Sequence, residues 1–418
     1  MPEALALVLA LLVLAGTLAA AVVHSRWPVE ALAAAGGAAL LVAVGTLSVS
    51  DARDALGDLG PTVGFLAALL VLAEGCRREG LFDAMGGLMA AGARGSPRRL
   101  LALVFAAAAT VTAVLSLDAT VVLLTPIVFA TAARLRTSPR PHVYACSHLA
   151  NSASLLLPVS NLTNLLAFHA SGLSFVRFAG LMALPTGAAV AVEWVVLTRF
   201  FAVELHRPRR AQADEEERPA LPRFAVTVVA LTLAGFGLSS VLGIAPVWVA
   251  VAGAVAITVP ALARRVTTAR TLVLAAEPSF LVFVLGLGVI VRAASDNGLA
   301  DAASALLPSG VALPELLAVA AVSAVLANLV NNLPATLILV PVAAPSGAAA
   351  VLAVLIGVNV GPNLTYVGSL ATLLWRRVLH VEDHEVELGE FVRLGALTVP
   401  AGVVLATVLL WFSAKGLT

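Results

Sequence analysis

Charge is scarce in this chain. Asp, Glu, Lys and Arg make up 12% of its 418 residues, where a soluble domain carries about 25%. Lysine is nearly missing: Lys415 is the only one, and arginine supplies the remaining basic residues. The formal net charge is +1, so no nucleic-acid partner is suggested. Cysteine is limited to Cys76 and Cys146, far apart in sequence. That excludes a disulfide framework, and also a three-thiolate site for a trivalent soft metal. The chain holds no G-x-x-x-x-G-K-[ST], G-x-S-x-G or H-E-x-x-H pattern. A nucleotide-hydrolysing site is therefore absent, and an intramembrane protease or lipid transferase lacks its usual groups. Neither a cofactor nor a metal is expected. No basic residue precedes the apolar run that starts at Ala4, so the first helix is expected to be retained rather than cleaved as a signal peptide.

What the chain has instead is apolar length. Hydrophobic residues make up 60% of it, and runs long enough to cross a bilayer recur throughout. Expected spans are Glu3–Val23, Val29–Val49, Thr62–Cys76, Phe175–Val203, Phe224–Leu242, Pro246–Ala263, Leu272–Val291 and Phe391–Phe412, with Leu81–Ala93 lying at an interface. The fold class is an all-α polytopic membrane protein. A polar, Pro-bearing linker over 206–223 divides an N-terminal half (1–205) from a C-terminal half (224–418).

Two stretches should be transmembrane helices and should fail to be. NVGPNLTYVGSLATLLW (Asn359–Trp375) and NSASLLLPVSNLTNL (Asn151–Leu165) place proline and polar groups inside apolar runs. Irregular backbone at that depth is tolerated only inside protein or along a cavity, and transporters use paired broken helices to hold substrate. The broken helices are expected over 141–170 and 347–377. Placed over each other, Asn151 meets Asn359, Ser160 meets Gly368 and Asn164 meets Thr372.

Other features repeat in the same order. Gly80-Leu81-Phe82-Asp83-Ala84 matches Gly298-Leu299-Ala300-Asp301-Ala302, and Ser116-Leu117-Asp118 matches Asn331-Asn332-Leu333. The latter two interrupt the apolar runs 98–136 and 314–345, which are expected to be re-entrant hairpins. With both as hairpins, the arginine clusters at 77–78, 94–99, 134–140, 207–210, 264–270 and 376–377 fall on one side, and Asp51, Asp54, Asp58, Asp296, Asp301 and Glu315 on the other. The expected topology is ten crossings plus two hairpins, with both termini outside. Five crossings per half force the second half to be inverted.

Asp118, at the first hairpin tip, is the expected coupling carboxylate, because an intramembrane charge persists only if it is paired, protonated or functional. His148 and Glu193 are further proton-coupling candidates, with no partner evident for Glu193. The expected substrate-binding set is Ser116, Asn151, Ser154, Ser160, Asn161, Thr163, Asn164, Asn331, Asn332, Asn359, Asn363, Thr365, Ser369 and Thr372, facing one cavity. Hydroxyls and amides donate and accept, which suits a neutral polyhydroxyl or a hydrated ion. The alternative for each is capping of freed backbone.

GVNVGPNLTYVGSLATLLW (Gly357–Trp375), LVNNLPAT (Leu329–Thr336), LDATVVLLTPIV (Leu117–Val128) and NSASLLLPVSNLTN (Asn151–Asn164) resemble the arsenical pump (ArsB-type) membrane proteins of the ion transporter superfamily. The first match is the specific one. That family usually has Asn-Asp at the first tip, where this chain has Leu117-Asp118. The resemblance implies efflux of arsenite or antimonite, as neutral hydroxides, across a bacterial inner membrane in exchange for protons. It also implies an elevator-type movement, an optional soluble arsenite-stimulated ATPase as partner, and a homodimer as one possible assembly. The competing expectation within the same fold is sodium/proton antiport or sodium-coupled anion uptake.

Overall fold

The computed structural model describes residues 2–22, 28–206, 220–382 and 384–415. Among these, every regular element is helical, as the sequence predicts. Most of the expected linker, residues 207–219, lies outside the described residues.

The first half comprises α1 (Glu3–Val22), α2 (Val29–Ala43), α3 (Val49–Arg78), α4 (Leu81–Ala93), α5 (Pro97–Val114), α6 (Thr125–Arg134), α7 (Arg140–Ser152), α8 (Leu162–Ser171), α9 (Phe175–Phe200) and the single turn α10 (Ala202–Leu205). A π-helical stretch, Ala119–Leu124, leads into α6. The second half comprises α11 (Arg223–Leu242), α12 (Pro246–Ala263), α13 (Ala269–Ala275), α14 (Pro278–Ala294), α15 (Ala300–Leu306), α16 (Leu313–Val330), α17 (Asn332–Ala343), α18 (Ala348–Val360), α19 (Leu370–Val381) and α20 (Leu388–Ala414).

Three boundaries differ from the sequence expectation, each for a local reason. The span expected over Val29–Val49 ends at Ala43, because Gly45 turns the chain at φ +74° and Ser48 caps the next helix by accepting from Asp51 N at 3.1 Å. α3 therefore starts at Val49 and runs through Pro61, well before the expected Thr62. The span expected over Leu272–Val291 is split into α13 and α14 by Glu277, at φ +53°, and the following Pro278.

Among the described residues, nine helical stretches are long and apolar enough to cross a membrane. They include α5 and α16, the first arms of the two expected hairpins, whereas α2, α18 and α19 are shorter. Length alone thus does not reproduce the ten expected crossings. The interrupted helices reach across as pairs: 13 residues of α7 and 10 of α8 give about 35 Å in series, against a core of about 30 Å.

Elements matched between the two halves make corresponding contacts. α2 runs along α14, α3 along α12, and α9 along α20. A side chain at Gly286 would meet the Ala34 backbone at 2.7 Å, so the glycine is what lets α2 and α14 close together. Gly80 (φ +79°) and Gly298 (φ +113°) both turn the chain near the start of the matched short helices α4 and α15. α5 packs on α7 as α16 packs on α18, and α17 covers α8 as the Ala119–Leu124 stretch covers α19. Each hairpin thus braces its own interrupted helix and the far part of the other.

Ends that meet carry charge. Arg264 donates to Glu79 at 2.5 Å, joining the last turns of α3 and α12. Arg140, at the start of α7, bridges Glu204 on α10 and Glu390 on α20. The end of α9 is thereby tied to the beginning of α20, so these long helices run antiparallel.

Candidate functional site

The two interruptions share one backbone path. α7 loosens into 3₁₀ turns at Ala153–Leu156 and Pro158–Ser160, with extended residues at Leu157 (φ −121°, ψ 148°) and Asn161 (φ −156°, ψ 152°). α18 does the same at Gly361–Leu364 and Tyr366–Gly368, with extended residues at Thr365 (φ −135°, ψ 155°) and Ser369 (φ −141°, ψ 140°). Pro158 has no N–H to donate, and Pro362 in the second break has none either. Asn161 then caps α8 through Thr163 N at 3.4 Å, and Ser369 caps α19 through Ala371 N at 3.2 Å. The register that sets Asn151 on Asn359 puts Leu157 on Thr365 and Asn161 on Ser369.

Where the breaks cross, the amides bind one another. Asn359 Oδ1 accepts from Thr163 Oγ1 at 2.7 Å and from Asn161 Nδ2 at 3.3 Å, while Asn359 Nδ2 donates to Asn164 Oδ1 at 2.7 Å. Asn151 Nδ2 donates to Asn363 Oδ1 at 2.8 Å and reaches Thr372 Oγ1 at 3.4 Å. All seven of these side chains are buried.

Below this seam lies a charged group that now has partners. Glu193 on α9, 1% exposed, accepts from His148 Nδ1 at 2.9 Å, Ser152 Oγ at 3.0 Å and Asn363 Nδ2 at 2.9 Å. Three donors satisfy a buried carboxylate that would otherwise cost several kcal/mol, about 3–5 when a partner is lost. Asn363 also donates to Ser152 Oγ and to His148 O. A single amide therefore joins the second break to the buried His148–Glu193 pair of the first half.

The remaining predicted residues do other work. Ser116 accepts from Ala119 N at 3.1 Å, and Ser154 donates to Asn151 O at 2.7 Å. Ser160 donates to Ala113 O of α5 at 2.9 Å. Asn331, at φ +77°, caps Leu333 N and donates to Val367 O at 2.9 Å. Asn332 is buried at the start of α17. Thr365 donates to Asn328 at 2.7 Å.

Asp118 stands apart from the seam. It lines a cavity of about 370 Å³ together with Glu30, Glu74, Glu277 and Arg377, against apolar residues of α3, α14 and α19. Glu74 is paired with Arg77 at 2.6 Å and Arg78 at 2.7 Å. Of the predicted site residues only Asp118 lines this cavity, while the amides of the two breaks hydrogen-bond to one another where the breaks cross.

A second cavity, about 220 Å³, is bounded by Arg140, Tyr144, His384 and the loop to Glu390. Burial and then the Arg140 guanidinium hold the His384 imidazole below its ordinary value, with Glu390 opposing them.

With this geometry in view, comparison with known proteins is informative. Residues 19–360 match the citrate transporter family (CitMHS). The chain belongs to that family. This family member is 27% identical to the arsenical pump membrane protein of Escherichia coli K12, over 87% of the chain and 89% of the relative. It is 23% identical to the putative arsenical pump membrane protein of Bacillus subtilis, over 92% and 94%. The Alcanivorax borkumensis YdaH transporter, whose crystal structure is described as having an unusual topology, matches with a TM-score of 0.57 at 19% identity, covering 100% of this chain and 98% of that one. That likeness concerns the fold. The CitMHS chain is a multi-pass membrane transporter similar to the arsenical pump proteins.

Sequence reasoning passed over Asn328 and Ser152. Asn328 Nδ2 donates to Ala324 O and Gly361 O, both at 2.8 Å, tying α16 to the second break. An amide three residues before Asn331 in an apolar run was the available signal. Ser152 gave none beyond its place beside Asn151.

Proposed function

We propose that this transporter exports arsenite and antimonite from the cytoplasm in exchange for protons. The observation that carries the reading is the charge around the larger cavity. Asp118, Glu30 and Glu277 face it against the single Arg377, with Glu74 already neutralised by Arg77 and Arg78. A small neutral trihydroxide tolerates such a wall. A citrate-like polycarboxylate, which the family's description favours as the second reading, would meet like charges there. The names of the relatives support a metalloid.

In this reading Asp118 is the coupling carboxylate, and His148 with Glu193 is a second proton station. Substrate oxygens would replace amide partners among Asn151, Asn161, Asn164, Asn359 and Asn363 when the breaks separate. The cavity lies between α3 and α14 on one side and the first hairpin and α19 on the other. An elevator-type movement would use that boundary, carrying hairpins and interrupted helices past the remaining scaffold. The antiparallel α9 and α20, and the reciprocal packing of the halves, support an inverted repeat with both termini outside and the arginine clusters cytoplasmic. A soluble ATPase or a second copy of the chain would be an addition to this core, not a requirement of it.

The test is arsenite uptake into everted vesicles under an imposed pH gradient, wild type beside Asp118→Asn. Gradient-driven uptake abolished by the substitution supports proton coupling at Asp118. Sodium-dependent flux without metalloid uptake in the wild type would sink the reading in favour of the cation or anion carriers.

A further inference from the structure

One face of α7 carries four buried polar side chains in sequence. Tyr144, Ser147, His148 and Asn151 are each at most 1% exposed. Residues three and four apart share a helix face, and the row from Tyr144 to Asn151 covers about 10 Å. Ser147 Oγ, His148 Nε2 and Asn151 Oδ1 each lack a hydrogen-bond partner among the described residues, and Tyr144 Oη stands against the Glu390 carboxylate. Others of this kind, on Thr46, Thr267 and Thr398, sit singly on separate elements. Buried polar atoms are nearly always satisfied, and where protein offers nothing, water is the usual partner.

The row has two ends. At one, Tyr144 lines the 220 Å³ cavity beside Arg140, His384 and Glu390. At the other, His148 and Asn151 reach the Glu193 pair and the crossing amides. His148 is also poised in the right tautomer. The Glu193 carboxylate only accepts, so Nδ1 carries the hydrogen and Nε2 presents its lone pair. The residues of α18 matched to Tyr144, Ser147 and His148 are Leu352, Leu355 and Ile356, all fully buried, and only the fourth, Asn359, is polar. The repeat requires the amide but not the three polar groups before it, and only one half has those.

We propose that this face of α7 is a hydrated proton path joining the Arg140–Glu390 cavity to the His148–Glu193 pair. It rests on the proton-coupled reading above and deepens it, by giving the proton a route separate from the Asp118 cavity. A proton delivered along the row forms an N–H bond at His148 Nε2 as an O–H bond of the delivering water breaks; release reverses this. The imidazolium charge is balanced by Glu193 at 2.9 Å. Asn363, bound to the other carboxylate oxygen, carries the change to the second interrupted helix. The titratable group facing the inner end is Glu193 from α9, with Tyr144 of α7 itself at the opposite end of the row. At the mouth they are Arg140, Glu204 from α10, Glu390 from α20, and the 384–387 loop.

The test uses the full chain in proteoliposomes, with the double variant Tyr144→Phe/Ser147→Ala, which removes two hydroxyls and adds no bulk. Arsenite counterflow at equal pH on both sides is expected to stay at the wild-type level, while pH-gradient-driven uptake falls about tenfold. Undiminished gradient-driven uptake overturns the path, as does an equal loss of both rates. If the wild type moves no metalloid at all, the proposed substrate fails instead. The path is then judged by infrared pH-jump spectra of the protein in lipid, with the carboxyl band assigned by its loss in Glu193→Gln. A slower band response in the double variant supports the path, and an unchanged one overturns it.

Discussion

The two interrupted helices trace the same backbone and are supported by opposite means. In the first, His148 and Ser152 of α7 turn toward Glu193 of α9. In the second, the matched positions are Ile356 and Val360, and Ala406 stands as far from the start of α20 as Glu193 does from the start of α9. Tight packing replaces polarity there. A side chain on Gly357 would stand 2.3 Å from Ala320 O, one on Gly361 2.7 Å from Ala324 Cα, and one on Gly395 2.2 Å from Asn363 O. The matched residue to Gly357 in the first half is Leu149, fully buried. One break is therefore held by a hydrogen-bonded charge and the other by close backbone contact. A shared backbone path is thus compatible with two kinds of support, and Asn363 is where the tightly packed break meets the charge of the other.

Removing the charge should break this contrast most severely. Glu193→Leu leaves His148, Ser152 and Asn363 without their acceptor, and is expected to cost about 3–5 kcal/mol, read as a fall in thermal unfolding temperature in detergent. Ala406→Leu, at the matched depth, should cost clearly less; an equal loss would mean the carboxylate is not what supports the first break.

Gly357→Val should be next, at about 1–3 kcal/mol, because the contacted atom is backbone and cannot turn aside. The same residue placed at 149 (Leu149→Val) changes volume in the other direction. Its unfolding should be the milder of the two, and a reversed order would show that the second break is not the tightly packed one.

Asn359→Ala removes the hub that holds Thr163, Asn161 and Asn164. A net loss of about 1–3 kcal/mol is expected, the penalty of leaving buried polar groups unpaired, checked by equilibrium unfolding beside Asn363→Ala. The smallest effect should come from the caps, Asn161→Ala and Ser369→Ala, at about 0.5–2 kcal/mol. Asn161 should be the larger, since it also donates to Asn359. Equal values would mean that its bond across the halves contributes nothing.

Much of this was legible in the chain itself. An apolar composition with little charge set the all-helical membrane class, since in a bilayer only helices or closed barrels satisfy their own backbone. Proline and glycine within apolar runs marked both breaks, and the match of Asn151 to Asn359 gave a register that the alternation of 3₁₀ turns and extended residues follows. The polar row Tyr144, Ser147, His148, Asn151 is also written in the sequence at helical spacing. The starts of α3 and α14 were harder to read, because a capping serine and a left-handed glutamate outweighed the hydrophobic pattern there.

Partnership was decided only by the tertiary structure. Glu193 lies 45 residues from His148 and 170 from Asn363, and no local pattern ties a carboxylate to donors so far away. The choice depends on α9 running antiparallel to α20 and on the breaks crossing where they do. The same crossing made the amides bind one another instead of lining the Asp118 cavity. Periodicity and backbone chemistry act over a few residues and can be read in order along a chain; the pairing of buried polar groups depends on distances that exist only once the helices have packed.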